Sequence, residues 1–273
     1  MTGHSIKGGG GVTLHVEEAG NAKGRPILFL HGATASRLVW DPQMSSTLAN
    51  DFRLVAVDLR GHGESEKPEG GYGDSRLWAD DVRSVLETLK LDRPVLVGHS
   101  YGALVICDYL RAYGDGGIAG FQLVGALTKL GSDSAYAVFS DDMKSKIAPG
   151  LLSAKLDEIL PATELFLRMA TYHPLPIHKY YLALGYGLTV PGHVRLGLFN
   201  RQVDNDDVLR EAEKPALITH GKEDNLILLA AAEHHASVIR LAKTSFYPDV
   251  RHFPSVENPD RFNAELAAFV NEC

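Results

Sequence analysis

Ser100 lies between Gly98 and Gly102 in a Gly-X-Ser-X-Gly pattern. An apolar, β-branched run ends at Val97, and an apolar run typical of a helix follows the second glycine. This strand–turn–helix context is the one in which a nucleophilic serine stands at the apex of a tight turn. Glycines on either side permit such a turn because they have no Cβ. We therefore predict that Ser100 is the nucleophile of an acyl-transfer reaction.

A serine nucleophile needs a general base, and the base needs an acid that orients it. On an α/β sheet the expected chain order is serine, acid, histidine, with each residue just beyond the carboxyl end of a strand. Asp224 follows a predicted strand at 215–219, and His252 follows another at 244–247. The sequence therefore predicts His252 as the base and Asp224 as its orienting acid.

Other residues could fill these two roles. The chain has 12 histidines, of which His220 also lies at a strand end but precedes the favoured acid, Asp224. His234 and His235 fall within a helical run, so we expect them to be surface groups. Asp133, which follows the strand predicted at 121–127, is the alternative acid.

The negative oxygen of a tetrahedral intermediate needs preorganised donors. The turn at the serine offers the backbone N–H of Tyr101. We expect the second donor in the loop 31–34, at Ala33, with His31 bracing that loop by hydrogen bonds. Loss of one such donor typically raises the barrier by about 3–4 kcal/mol.

Alternating strands and helices must position these residues. Short apolar or alternating runs predict strands at 12–19, 26–30, 52–58, 94–97, 121–127, 215–219 and 244–247. Helical spacing predicts helices at 40–48, 77–89, 103–113 and 258–270. This order is typical of an α/β fold with a mostly parallel β-sheet flanked by helices.

The segment 131–212 shows helical spacing and repeated prolines but no convincing strand. We interpret it as a helical cap inserted over the carboxyl end of the sheet, with residues 1–130 and 213–273 forming the core. Apolar cap residues, among them Met169 and Leu182, are expected to face a pocket for uncharged substrates. The predicted substrate-binding residues are Thr34, Phe139, Met143, Leu167 and Phe253.

The chain's bulk composition is that of an ordinary globular protein. Its 273 residues are 45% hydrophobic and carry a formal net charge of −7. No basic block is present, so nucleic acid is not an expected partner. The start has no apolar leader and no run could span a membrane, so a cytoplasmic location is expected. The histidines have no metal-ligand spacing, and no metal or other cofactor is expected; the oligomeric state is left open.

Five motifs together carry a family resemblance. They are His-Gly-Ala-Thr at 31–34, Asp-Leu-Arg-Gly-His-Gly-Glu-Ser at 58–65, Gly-His-Ser-Tyr-Gly at 98–102, Gly-Lys-Glu-Asp at 221–224 and His-Phe-Pro-Ser-Val-Glu-Asn-Pro at 252–259. In this order the chain resembles capped, esterase-like enzymes of the α/β-hydrolase fold. The resemblance implies hydrolysis of a small-molecule carboxylic ester through an acyl-enzyme, without a cofactor.

The same fold hosts other reactions. Haloalkane dehalogenases and epoxide hydrolases are similar but use an aspartate nucleophile, and dienelactone hydrolases use cysteine, whereas position 100 is serine. Cofactor-free perhydrolases share the triad, but their oxyanion loop usually has a proline where this chain has Thr34. Lactonase, C–C bond hydrolase and perhydrolase activities remain alternatives, as does a hydrolase-like ligand receptor that turns nothing over.

Overall fold

An eight-stranded β-sheet is the centre of the computed structural model, which describes residues 1–273. The strands of the chain are β1 (Thr2–Lys7), β2 (Thr13–Gly20), β3 (Arg25–Leu30), β4 (Phe52–Val57), β5 (Val95–His99), β6 (Gly120–Val124), β7 (Lys129–Leu130), β8 (Val203–Asp204), β9 (Ala216–Gly221) and β10 (Ala242–Tyr247). The main sheet has the order β1-β2-β4-β3-β5-β6-β9-β10. In this sheet β2 runs antiparallel to both of its neighbours, β1 and β4. All the other neighbouring strands are parallel. The predicted mostly parallel sheet is confirmed.

Helices cover both faces of the sheet, as parallel strands require. They are α1 (Asp41–Met44), α2 (Leu48–Asp51), α3 (Ser75–Thr88), α4 (Tyr101–Tyr113), α5 (Asp133–Ala137), α6 (Ala148–Leu151), α7 (Leu156–Ala170), α8 (Ile177–Leu188), α9 (Gly192–Phe199), α10 (Asp206–Glu211), α11 (Leu229–Val238), α12 (Pro254–Glu257) and α13 (Pro259–Glu272). Short turns of other helix types occur at Gly9–Gly11, Arg37–Trp40 and Met143–Ile147. None of these helices combines the length and apolar character needed to cross a membrane.

Several predicted elements differ from the structure. The helix expected at 40–48 is broken into short pieces, since the hydroxyls of Ser45 and Ser46 bond to nearby backbone carbonyls in place of a continuing helix. The strand expected to reach residue 127 ends at Val124, because Gly125 has a φ of 50° and turns the chain. The turn brings the N–H of Leu127 to the carbonyl of Ser100, at 3.1 Å.

The segment 131–212 contains α5 to α10 and one short strand that the sequence did not reveal. That strand, β8, pairs with β7 just outside the segment. Apolar residues of the segment belong to the same buried cluster as the sheet, including Met143, Ile147 and Leu151. Backbone bonds also join it to the loops beyond β9 and β10, from Leu228 N to Val138 O at 2.8 Å and from His252 N to Ala170 O at 3.0 Å. These contacts fix the segment against the carboxyl edge of the sheet.

Candidate active site

Ser100 occupies the turn between β5 and α4 in a strained backbone conformation. Its φ is 52° and its ψ is −114°, a region that residues with a Cβ rarely adopt. A Cβ added at Gly98 would lie 2.7 Å from the carbonyl oxygen of Gly102, and one added at Gly102 would lie 2.3 Å from that of Leu30. Both glycines are therefore required for the turn that exposes the serine.

His252 and Asp224 are hydrogen bonded behind this turn. The Nδ1 of His252 donates to Oδ2 of Asp224 at 2.8 Å, which leaves its Nε2 available to a substrate or nucleophile. The other oxygen of Asp224 accepts the N–H groups of Leu226 and Ile227 at 2.9 and 3.1 Å. Burial alone would raise the pKa of Asp224, yet His252, His220 and the N–H of Leu226 hold that pKa below its ordinary value. Asp224 therefore remains a carboxylate able to stabilise an imidazolium.

Ser100 and His252 line one cavity, although no direct hydrogen bond joins their side chains. Such bonds are often long in free enzymes and shorten with substrate bound. The alternative acid Asp133 is exposed at the start of α5 and does not contact His252. His220 lies 3.3 Å from Asp224 and so contacts the acid rather than replacing the base.

The backbone of His252 is held by His99, whose role the sequence analysis missed. The Nε2 of His99 donates to the carbonyl of His252 at 2.9 Å, and the ring of His99 stacks on Phe253 with centroids 4.5 Å apart. Burial lowers the pKa of His99 well below its ordinary value, so this ring is neutral.

His235, expected at the surface, is instead buried against the hydroxyl of Thr128, at 2.8 Å.

The loop 31–34 lies beside Ser100 and is braced by two buried histidines. His31 accepts the N–H of Leu59 at 3.0 Å and donates to the carbonyl of Gly32 at 2.8 Å, while His62 accepts the N–H of Thr34 at 3.3 Å. Burial lowers the pKa of His31 to about 4 and that of His62 to about 3, so both are neutral and can accept.

Two backbone donors are free beside the serine. The N–H of Ala33 bonds to no protein acceptor, and the N–H of Tyr101 is an unsatisfied first-turn donor of α4. Both residues line the cavity that contains Ser100. The arrangement can hold a developing oxyanion.

Thr34 has a φ of 54°, in the left-handed region. A proline ring fixes φ near −65°, so proline at this position would require a different loop. The loop of this chain therefore differs in backbone conformation, as well as in sequence, from one with proline at position 34.

A buried ion pair lies behind the first turn of α4. Arg201, which follows α9, donates to Asp108 at 2.6 Å, to Ser75 at 2.9 Å and to the hydroxyl of Tyr101 at 3.2 Å. The side chains of Arg201 and Asp108 are 0% and 1% exposed. This network ties the segment 131–212 to the helix that starts at the serine.

Three spaces with shared lining residues lie at the site, and Ser100 lines two of them. The inner cavity, of about 30 Å³, lies against Ser100 and His252 and is otherwise lined by Ala33, Thr34, Tyr101, Leu127, Phe139, Met143, Leu151, Phe166, Phe199, Leu226 and Ile227. A connecting space of about 20 Å³ lies on another side of the same two residues. It shares Leu167, Ala183, Tyr186 and Phe253 with an outer chamber of about 220 Å³.

The residues predicted to bind substrate are divided between these spaces. Phe139 and Met143 line the inner cavity, Thr34 lines both small spaces, and Leu167 and Phe253 line the connecting space and the outer chamber. The expectation for Met169 is wrong, because it lines none of the three spaces; it packs against the core instead. Sequence reasoning missed the lining residues Leu127, Leu151, Leu226, Ile227 and Tyr186.

No group of three or more His, Cys, Asp or Glu side chains could hold a metal ion.

Comparisons with known proteins identify a family and similar structures. The family model of the alpha/beta hydrolase family matches residues 27–265. The structure is similar to that of the esterase RhEst1 from Rhodococcus sp. ECU1013, with 37% identity, 99% of each chain covered and a TM-score of 0.94. It is also similar to a candidate aryl esterase from Burkholderia cenocepacia, with 33% identity, coverage of 99% of this chain and 98% of the other, and a TM-score of 0.91.

A curated relative extends the range of activities among similar proteins. The bifunctional esterase/perhydrolase DCH of Acinetobacter calcoaceticus is 28% identical over 280 residues, which cover 95% of this chain and 96% of the relative. The family match, the fold and the similarity to esterases agree, and the chain belongs to the alpha/beta hydrolase family.

Proposed function

We propose that this protein hydrolyses carboxylic esters through an acyl-enzyme. Ser100 attacks the ester carbonyl while Nε2 of His252 takes the hydroxyl proton, and Asp224 stabilises the imidazolium through Nδ1. The N–H groups of Ala33 and Tyr101 bind the oxyanion of the tetrahedral intermediate. His252 then returns the proton to the departing alcohol, and water activated by the same imidazole releases the acid and regenerates Ser100.

One observation carries the proposal: the 2.8 Å bond between His252 and Asp224 lies behind a serine at φ 52°. A buried carboxylate that orients the far nitrogen of an imidazole leaves the near nitrogen as a base. Unpaired donors beside the serine complete what acyl transfer requires. Similarity to esterases at 37% and 33% identity supports the choice of esters.

We further propose that residues 131–212 act as a cap on a core formed by 1–130 and 213–273. The cap supplies apolar walls of the inner cavity, namely Phe139, Met143, Leu151, Phe166 and Phe199. A cavity of about 30 Å³ with no Asp, Glu, Lys or Arg side chain in its wall fits a short, uncharged acyl group. The substrates are therefore esters of short, uncharged acids.

Perhydrolysis on the same triad is the less supported alternative. Its support is the similarity of this chain to the esterase/perhydrolase from Acinetobacter calcoaceticus. Thr34 at φ 54° gives the oxyanion loop a conformation that a proline-containing loop cannot share. We infer that water, not peroxide, is the acceptor for which this loop is built.

Hydrolysis of p-nitrophenyl acetate by the wild-type chain and the Ser100→Ala variant tests the proposal. We expect steady turnover over many equivalents by the wild type and loss of turnover in the variant. The circular dichroism spectrum of the variant should match that of the wild type. The exposed Ser134→Ala variant is a matched control and should keep full activity. A single equivalent of product without further turnover would instead indicate a ligand receptor.

A further inference from the structure

The two sides of the candidate site differ in polarity. Apart from the catalytic groups and Thr34, the inner cavity has only one polar side chain, that of Tyr101, whose hydroxyl is already bonded to Arg201 and Leu198. The outer chamber, in contrast, is lined by Asp41, Thr171, His178, Lys179 and Tyr186 among apolar residues.

The two sides also differ in access. Around the inner cavity, the backbone of Phe139 pairs with that of Ile227, which joins the wall to the loop of the acid. The outer chamber is bordered by His178, Lys179 and Leu182, which are exposed residues of α8. The outer chamber is therefore the route to solvent.

This asymmetry assigns a direction to the substrate. In an acyl-enzyme reaction the acyl group stays on the serine while the alcohol leaves and water enters. The departing group needs the route to solvent, and the retained group needs only the enclosed space. The acyl group accordingly lies in the inner cavity, and the alcohol passes through the connecting space into the outer chamber.

The side chains of Asp41 and Tyr186 in the outer chamber are free to bind a ligand. The carboxylate of Asp41 is half-buried and accepts no hydrogen bond; burial raises its pKa, while the charges of Arg37 and Lys179 oppose this. The hydroxyl of Tyr186 has no hydrogen-bond partner either, and burial together with the charge of Asp41 raises its pKa, so it remains a donor. An acceptor and two donors thus border one space, since Lys179 adds an ammonium group.

This mixed set discriminates between kinds of alcohol. A cationic alcohol would pair with Asp41 but be repelled by Lys179. An anionic alcohol would pair with Lys179 but be repelled by Asp41. Neutral hydroxyl groups can donate to the carboxylate and accept from the ammonium and phenol groups. Hydrogen bonds to charged partners are the stronger ones.

We propose that the outer chamber is an alcohol subsite, formed by Asp41, Lys179 and Tyr186, which selects short-acyl esters of neutral polyhydroxylated alcohols. The proposal rests on the ester hydrolysis proposed above and names its substrate class. Tyr186, which borders both the connecting space and the chamber, contacts the hydroxyl nearest to the scissile bond. Asp41 and Lys179 bind hydroxyls farther along the alcohol.

Two acetate esters with alcohols of similar length test this subsite. The ratio of kcat/KM for 2,3-dihydroxypropyl acetate to that for propyl acetate is measured in the wild type, in Asp41→Asn and in Tyr186→Phe. We expect the wild type to prefer the dihydroxy ester and each substitution to lower the ratio by about tenfold, as loss of a hydrogen bond to a charged or buried partner does. The exposed Asp157→Asn variant of α7 is the matched control and should keep the wild-type ratio.

The failures of the two proposals can be told apart. Turnover of both esters that is lost in Ser100→Ala, with a ratio unchanged in Asp41→Asn and Tyr186→Phe, overturns the alcohol subsite alone. A wild-type preference for propyl acetate does the same. Absence of turnover of either ester, and of p-nitrophenyl acetate, overturns the proposed function and the subsite with it.

Discussion

We predict that the inner cavity limits the length of the acyl chain and that Phe139→Ala allows longer chains. A cavity of about 30 Å³ accommodates two or three water-sized groups, so acetyl to butyryl groups should fit and longer ones should clash. Removing the ring of Phe139 opens room for about four more methylenes, each contributing about 0.8 kcal/mol when buried. The gain for an octanoyl group over a butyryl group is then at most about 3 kcal/mol, or on the order of a hundredfold in kcat/KM.

The assay is the series of p-nitrophenyl esters from acetate to octanoate. The wild type should have its highest kcat/KM between acetate and butyrate, and Phe139→Ala should move the maximum to longer chains. Leu175→Ala, which enlarges the outer chamber but not the inner cavity, is the control and should leave the maximum in place. A steady wild-type rise up to octanoate, or the same maximum in wild type and Phe139→Ala, would refute the assignment of the inner cavity to the acyl group.

Three further substitutions or conditions have defined outcomes. Asp224→Asn should lower kcat by about ten-thousandfold, as in a triad whose histidine is held in the wrong tautomer, whereas Asp133→Asn should leave kcat unchanged; a strong defect at Asp133 alone would transfer the acid role. Arg201→Met should lower the free energy of unfolding by about 3–5 kcal/mol because Asp108 is left buried and unpaired, and a urea-denaturation loss below about 1 kcal/mol would contradict this. Burial lowers the pKa of His235 to about 3 in the folded state. Below about pH 6.5 this imidazole therefore binds a proton in the unfolded state but not in the folded state. Its contribution to stability, complete above that pH, should decline by about 1 kcal/mol between pH 6.5 and 5.5, and a constant unfolding free energy over that interval would show the reasoning to be wrong.

The sheet and the positions of the candidate triad could be predicted because local sequence decides them. Ser100 directly follows the apolar, buried strand β5, and Asp224 and His252 lie three and five residues beyond the ends of β9 and β10. Parallel strands bring their carboxyl ends to one edge of the sheet. The glycines at 98 and 102 mark a tight turn by their lack of a side chain. In these cases residue type and local order carry the information.

The lining of the site could not be predicted because packing between distant segments decides it. Leu127 lines the cavity only because Gly125 ends β6 early. Tyr186 faces the site through the placement of α8 over the sheet, which the spacing of apolar residues along that helix does not specify. His235 lies on a helix with little amphipathic character, so its burial against Thr128 has no signal in the sequence.

Covalent labelling of Ser100 tests the acyl-enzyme proposal most directly. Diethyl p-nitrophenyl phosphate should release about one equivalent of p-nitrophenolate per chain, because an activated serine forms a stable phosphoryl adduct. Peptide mass spectrometry should find the adduct on Ser100, and Ser100→Ala should release none and retain less than about one hundredth of the esterase activity. An adduct on another residue, or a Ser100→Ala variant that keeps substantial ester hydrolysis, would contradict the proposed mechanism.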